Sequence, residues 1–439
     1  MTDILINILS FAFALGVIIF VHEWGHLMVA KAFGVKVLTF SLGFGKSLWS
    51  TTRGETEYRI SALPLGGYVR LGGESTEEAT GDPREFLSKP RWQRILVYLA
   101  GPVMNVILAV LIFALLFMVG IEVPNLSSIP SLVGEVAEGS SAAGAGIQRG
   151  DRIVAVQGKP VSSWQDVGFT FLTSPERPVQ LTLDRAGRRF DATVTPARIP
   201  REELGDSAGI FPAVRPQVIS VLEGSPAATA GFQAGDEIRA VDGRPVADRS
   251  DFVPYVKERP GQRIQVQVVR NGRLVTLPVV PRDANGAVQI GVNLGFFQRY
   301  PPGRAFAESV RYNVQIVRET FRVIGKIFSR EISAKGALAG PIEIAAQSGA
   351  AARRGLKDLF HLMGFISISI AILNLMPIPI LDGGQISILM VEGLIRRDLP
   401  LKLKEGIAQV GFVMILLLMF MVLWFDLSKN LPANLLPGG

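Results

Sequence analysis

Four apolar runs dominate the chain, at about residues 4–27, 95–119, 359–381 and 407–425. Roughly 20 residues of helix cross the hydrocarbon of a bilayer, and each run is near or above that length. Inside lipid every backbone N–H and C=O must be satisfied within the segment, so such runs can cross only as helices. Composition agrees. Of 439 residues 48% are hydrophobic and 19% charged, against roughly a quarter charged in soluble domains, and the mean hydropathy is +0.34. The reading is a polytopic α-helical membrane protein with four transmembrane segments.

The formal charge of +7 raises nucleic acid as a partner, but no basic-aromatic tract supports it, and the expectation is none. The bilayer is the partner that the composition requires. About ten Lys and Arg lie between the first two runs, and Arg396, Arg397, Lys402 and Lys404 lie between the last two. Short basic loops stay in the cytoplasm. Both chain ends and the long 120–358 region are therefore expected outside, in the periplasm of a bacterium. The first run has no basic leader, since Asp3 is the only charge before His22. It reads as a retained spanning helix rather than a signal peptide.

Between the first two spans, FSLGFG at 40–45 and EYRISALPLGGYVRL at 57–71 alternate apolar and β-branched residues, broken by Gly and Pro. That pattern predicts short strands and hairpins, in a sheet lying close to the membrane. In the outer region VAEGSSAAGAGIQRGDRIVAVQGKPV at 136–161 recurs without gaps as VLEGSPAATAGFQAGDEIRAVDGRPV at 221–246. A repeat of this size is a duplicated domain. Both copies resemble PDZ domains of bacterial proteases, whose S-P-A-x-x-A-G-h-x-x-G-D-x-I signature (h apolar) stands almost intact in the second. PDZ domains bind peptide ends on a sheet edge; a pair of rigid spacers is the other reading. RAFAESVRYNVQIVRETFRVIGKIF at 304–328 has helical apolar spacing and a basic face, suiting a membrane surface or packing against the repeats.

The expected order of parts follows. Residues 1–30 form the first span, 31–94 a cytoplasmic, membrane-associated β-rich loop, and 95–120 the second span. Residues 126–205 and 206–292 form two tandem periplasmic PDZ domains, and 300–358 an amphipathic periplasmic region. The third span occupies 359–395 and the fourth 406–428.

The first run ends in FVHEWGH, where His22, Glu23 and His26 fit H-E-x-x-H. Helix positions i and i+4 project from one face, so both imidazoles can hold one ion. With no cysteine in the chain and only three histidines, a metal site must use imidazole and carboxylate. Zinc suits that set, and Glu23 is placed to take a proton from water. Ionisable groups at membrane depth cost roughly 2.5–3.5 kcal/mol on insertion scales and are functional candidates by default. The bland alternative is a polar packing seam.

A catalytic zinc needs a third protein ligand and an open position. His361 starts the third run on the outer side, about a hydrocarbon thickness (~30 Å) from His22, and reads as an interfacial or packing residue. That run ends in ISIAILNLMPIPILDGGQ at 368–385, whose only acid is Asp382. Pro377 and Pro379 exclude regular helix there, so NLMPIPILDGG is expected to be largely extended. Irregular backbone at membrane depth must be buried in protein or line a cavity. Asp382 is then the third ligand, a turn residue being the alternative.

These motifs together resemble the site-2 protease family: H-E-x-x-H in the first span, N-x-x-P-x-P-x-L-D-G in the third, tandem PDZ domains between, with GFG at 43–45 and ALPLGGYVRL at 62–71. The resemblance implies an intramembrane zinc endopeptidase cutting transmembrane segments of single-pass proteins. His22, His26 and Asp382 match the Zn2+ ligands, Glu23 the general base, and Asn374 an asparagine contacting substrate backbone. It further implies that the 40–71 loop dips into the membrane and holds substrate as a strand. Implied substrates are an anti-sigma factor after a first periplasmic cut and remnant signal peptides, in envelope-stress signalling at the inner membrane. The zinc site would lie towards the cytoplasmic side. Many members carry His after LDGG where this chain has Gln385. Two other readings remain: a catalytically silent PDZ scaffold or chaperone, and a metal transporter.

Overall fold

The computed structural model describes residues 2–74, 80–120, 129–174, 176–197, 208–284, 287–295, 299–329 and 339–430. They form two compact units, Met1–Val119 with Pro301–Gly439, and Gly120–Tyr300.

The first unit carries four helices long and apolar enough to cross a membrane: Asp3–Ala32, Arg91–Val119, Leu356–Asn374 and Lys402–Ser428. α1 (Thr2–Ala32) is followed by β1 (Val37–Arg53), β2 (Thr56–Leu71) and α2 (Arg91–Val119). The remaining helices are α3 (Pro302–Phe328), α4 (Pro341–Arg354), α5 (Leu356–Asn374), α6 (Asp382–Leu394) and α7 (Leu401–Asn430). α1, α2 and α5 pack on one another, and α2 buries a continuous stripe that includes Ala109, Ile112, Phe113, Leu116 and Phe117. α7 is otherwise: Phe412, Leu417 and Phe420 are more than half exposed, a surface suited to lipid. Near its end, buried Asp426 accepts from the backbone amides of Gly340, Ile342 and Glu343 at 3.0, 3.0 and 3.2 Å. That carboxylate satisfies the orphan N–H groups that open α4.

β1 and β2 pair antiparallel with an irregular register. Val37 to Leu42 face Leu71 back to Gly67, while Ser47 to Arg53 face Ser61 back to Thr56. Thr39–Leu42 also have Glu57–Ile60 beside them, so this arm of β1 is interior and Gly67–Leu71 is an edge. Gly43 and Gly45, with φ of 91° and 86°, let the chain turn between the two arms of β1, a region closed to most side chains. Past the bend Leu48 and Trp49 are 70% and 55% exposed. The strands expected here are present, but as one bent pair of long strands, 17 and 16 residues, rather than as short ones.

Pro341 opens a helix of its own, so the 300–358 region is two helices, with 330–338 outside the described residues. The expected third span of 359–395 is likewise two helices, α5 and α6, separated at 375–381. That connection is not extended. Leu375 and Met376 donate to Ala371 and Leu373, and Leu381 donates to Ile378, which makes a run of tight turns. Gly383 and Gly384 explain it: a Cβ on either would strike the carbonyls of Leu375 or Ile378. Without one the loop folds back onto the first turn of α6.

The second unit holds two similar lobes, each with its own apolar core. The expected 205/206 boundary falls at 198–207, outside the described residues. The strand after it, Ile210–Pro212, pairs back with Val133–Val136, and Ala208 and Ile210 join the first core. The first lobe therefore continues past residue 205, because the sheet edge is closed by this later strand. Gln217–Val221 and Val292–Gly295 pair in the same manner in the second lobe. The Gly-Asp turns of the repeat serve one purpose in both: Asp151 and Asp236, fully buried, each take a forked arginine, Arg185 and Arg270, with all four bonds at 2.7–2.8 Å. Removing one partner of such a pair strands the other. Asp236→Ala is expected to cost the second lobe about 3 kcal/mol, read as selective proteolysis within residues 217–295.

Arg149 of the first lobe forks onto Asp251 at 2.7 and 2.8 Å and reaches Asp248 at 2.9 Å. Asp248 caps the helix Arg249–Lys257 in a capping box with Asp251. The Arg149 guanidinium holds the Asp251 carboxyl below its ordinary value. A depressed carboxylate stabilises above its unfolded pKa and loses that contribution as pH falls through the folded one. The clasp between lobes is expected to stay closed from neutral pH down to about 4 and to open below it, as measured by spin-label distances across the lobes.

Candidate metal centre

α1 and α2 run antiparallel with His26 at the level of Val97 and His22 at the level of Asn105. The His26 Nδ1 lies 2.8 Å from the Val97 carbonyl oxygen and the His22 Nδ1 lies 3.3 Å from the Asn105 Nδ2. Both rings therefore turn their Nε2 atoms inward, 3.2 Å apart. The turn after α5 delivers Asp382, the first residue of α6, with its Oδ2 3.2 Å from His22 Nε2 and 3.6 Å from His26 Nε2. Among the described residues this trio has ligand atoms all within 4.8 Å of one another. Two imidazole nitrogens and one carboxylate oxygen make a donor set that suits zinc.

Space for an ion is kept by Gly101. A Cβ there would collide with His26 Nε2 and sit 2.7 Å from His22 Nε2. The wall in front of both nitrogens is thus bare backbone. His26 carries the outer support expected of a ligating imidazole, an Nδ1–H donated to a backbone carbonyl. Pro102 in α2 removes a helix hydrogen bond one turn away.

Glu23 lies beside the trio and against β2. Its carboxylate is in reach of the Val69 backbone amide, and a Cβ on Gly67 would be 3.1 Å from its Cγ. Gly67 lets the edge of the sheet press close to the acid. Asn374 is the last residue of α5 and half-buried; it is not among the three converging residues. His361 is elsewhere. It bonds the Tyr312 hydroxyl at 3.1 Å and packs edge-on to Phe113, 13 residues or about 20 Å of helix from Asn374. Gln385 donates from Nε2 to the Pro379 carbonyl at 2.8 Å, tying α6 to the turn that carries Asp382.

A model of Peptidase family M50 matches residues 10–418. The chain belongs to this family, the site-2 proteases. It is 32% identical to "Regulator of sigma-E protease RseP" of Escherichia coli, over 98% of this chain and all of that one. It is 34% identical, with the same coverage, to a relative from Ralstonia nicotianae whose name describes a zinc metalloprotease. Among solved structures, the PDZ domain of an SdrC-like protein from Listeria monocytogenes is 24% identical, covering 18% of this chain and 86% of that one with a TM-score of 0.17. The protein is a zinc metalloprotease of the site-2 type. Two residues at the site, Gly101 and Asn105, were not anticipated from sequence. A signal was present: Tyr98 and Asn105 are the only polar side chains between residues 95 and 119, and an amide in a spanning helix calls for a partner.

Proposed function

We propose that this protease works at the bacterial inner membrane, cutting transmembrane segments of single-pass proteins with His22, His26 and Asp382 holding zinc and Glu23 as general base. The carrying observation is the convergence of three ligand atoms, backed by Glu23, among helices apolar enough to cross a bilayer. A bound zinc ion would acidify water and polarise the scissile carbonyl.

The residues of the chain account for the rest. Val97 fixes the His26 ring through its Nδ1. Glu23, held against β2, takes a proton from the attacking water on its carboxylate and returns it to the leaving amine. The edge Gly67–Leu71 lies beside Glu23, so a substrate unwound from its helix can add along it as a strand. Asn374 contacts substrate backbone. The turns at 375–381 keep their bonds internal and hold Asp382 in place, where a longer helix would carry it away.

The basic loops support a topology with both chain ends and the two PDZ lobes in the periplasm and the zinc site towards the cytoplasm. Names of relatives that refer to sigma-E support envelope-stress signalling. The substrates would be an anti-sigma factor trimmed outside and remnant signal peptides. The lobes then act as a gate against bulky periplasmic domains. Deleting residues 126–290 is expected to allow cleavage of the intact substrate, scored by immunoblot; continued full protection of the uncut protein sinks the gate. The central test measures zinc content and cleavage of a membrane-embedded peptide by the parent and Glu23→Gln. A silent scaffold would show no cleavage by either.

A further inference from the structure

Asn105 is fully buried in α2, with its Nδ2 3.3 Å from His22 Nδ1 while its Oδ1 is buried without a partner. In this arrangement the amide donates to Nδ1, which leaves the His22 proton on Nε2, the nitrogen that faces Asp382 and His26. An imidazole ligates only through an unprotonated nitrogen. If His22 Nε2 is to hold zinc, the ring proton must sit on Nδ1, and Nδ1–H then needs an acceptor. Turning the Asn105 amide through 180° exchanges its nitrogen and oxygen and presents Oδ1 to that proton. One rotation both supplies the acceptor and ends the isolation of a buried oxygen, whose burial unpaired is costly.

The rest of Asn105 is fixed. Its carbonyl accepts from the Ser367 hydroxyl of α5 at 2.8 Å, so the backbone that carries the amide is tied to the helix leading to Asp382. His26 has the equivalent support from Val97, a carbonyl that cannot be altered by changing a side chain. For His22 the support is a side chain, and it can be tested.

We infer that Asn105 is the positioning residue for His22, its side-chain oxygen accepting the Nδ1–H and fixing the imidazole with Nε2 free for zinc. This rests on the proposed zinc role of His22. Lost outer support of this kind weakens metal affinity about 10–100-fold.

The experiment uses the full chain in detergent, with zinc affinity measured by competition against a chelator for the parent, His22→Ala, Asn105→Leu and Asn105→Asp. Asn105→Leu keeps the bulk and removes the acceptor; a tenfold or greater loss is expected. Asn105→Asp keeps an acceptor in place and should bind within about threefold of the parent or more tightly. With only three histidines in the chain, 15N-histidine spectra of the zinc-loaded parent should show a protected Nδ1–H that shifts in Asn105→Asp.

If His22→Ala holds zinc as well as the parent, the metal reading falls and this inference with it. If His22→Ala loses zinc while Asn105→Leu keeps parental affinity, only this inference is overturned. Asn105→Asp settles the matter where the leucine variant does not accumulate. A tenfold weakening there means that the amide acts through shape alone and overturns the assignment.

Discussion

Replacing Glu23 with Gln should lower cleavage of a membrane-embedded substrate by about 10²- to 10⁴-fold, the range for loss of a positioned general base, while zinc content stays at the parental level. The separation follows from geometry. The converging ligand atoms belong to His22, His26 and Asp382, and Glu23 lies beside them against β2, where Gly67 leaves it room. Glutamine has the same length and can still meet the Val69 amide with its oxygen, so packing is kept. It cannot accept a proton from water. Cleavage rates in liposomes together with metal analysis of the purified variant make the check. A variant that lost zinc in step with activity would place Glu23 among the ligands and break the assignment of roles.

Gly101→Ala should remove zinc binding altogether, although alanine is the better helix former. One methyl placed there runs into the Nε2 of His26 and comes within 2.7 Å of that of His22. Neither ring can retreat without giving up its Nδ1 partner on α2. Gly16 of α1 provides the control: a Cβ there meets nothing within 4 Å, so Gly16→Ala should bind zinc as the parent does. Metal content and a thermal melt on both variants test the pair. Parental zinc in Gly101→Ala would mean that the ion does not occupy the space that Gly101 keeps open.

The four helices long and apolar enough to cross a membrane were legible as apolar runs because lipid leaves a spanning segment no alternative to length and apolarity. The H-E-x-x-H pair was legible because four residues bring a helix back to nearly the same face. The duplicated lobes showed as a plain repeat. The connection after α5 is less legible. Two prolines correctly excluded helix, but the extended chain expected there proved to be successive turns. What decides this is how closely Gly383 and Gly384 approach the carbonyls of Leu375 and Ile378, and closeness across a loop leaves no periodic mark. The first lobe ran past its expected end for a similar reason, since Ile210–Pro212 completes a sheet begun about 75 residues earlier.

The sequence by itself determined the kind of chemistry. Imidazole and carboxylate were the only metal donors available, and ionisable groups in lipid are too costly to keep without use. Only the tertiary structure decided how the centre is held. Val97, Gly101 and Asn105 all lie on α2, more than 70 residues from His22 or His26, and act by a carbonyl, an absent methyl and an amide. None of these has chemistry that announces itself in a sequence, because each acquires its role from what the antiparallel packing of α1 and α2 places opposite it.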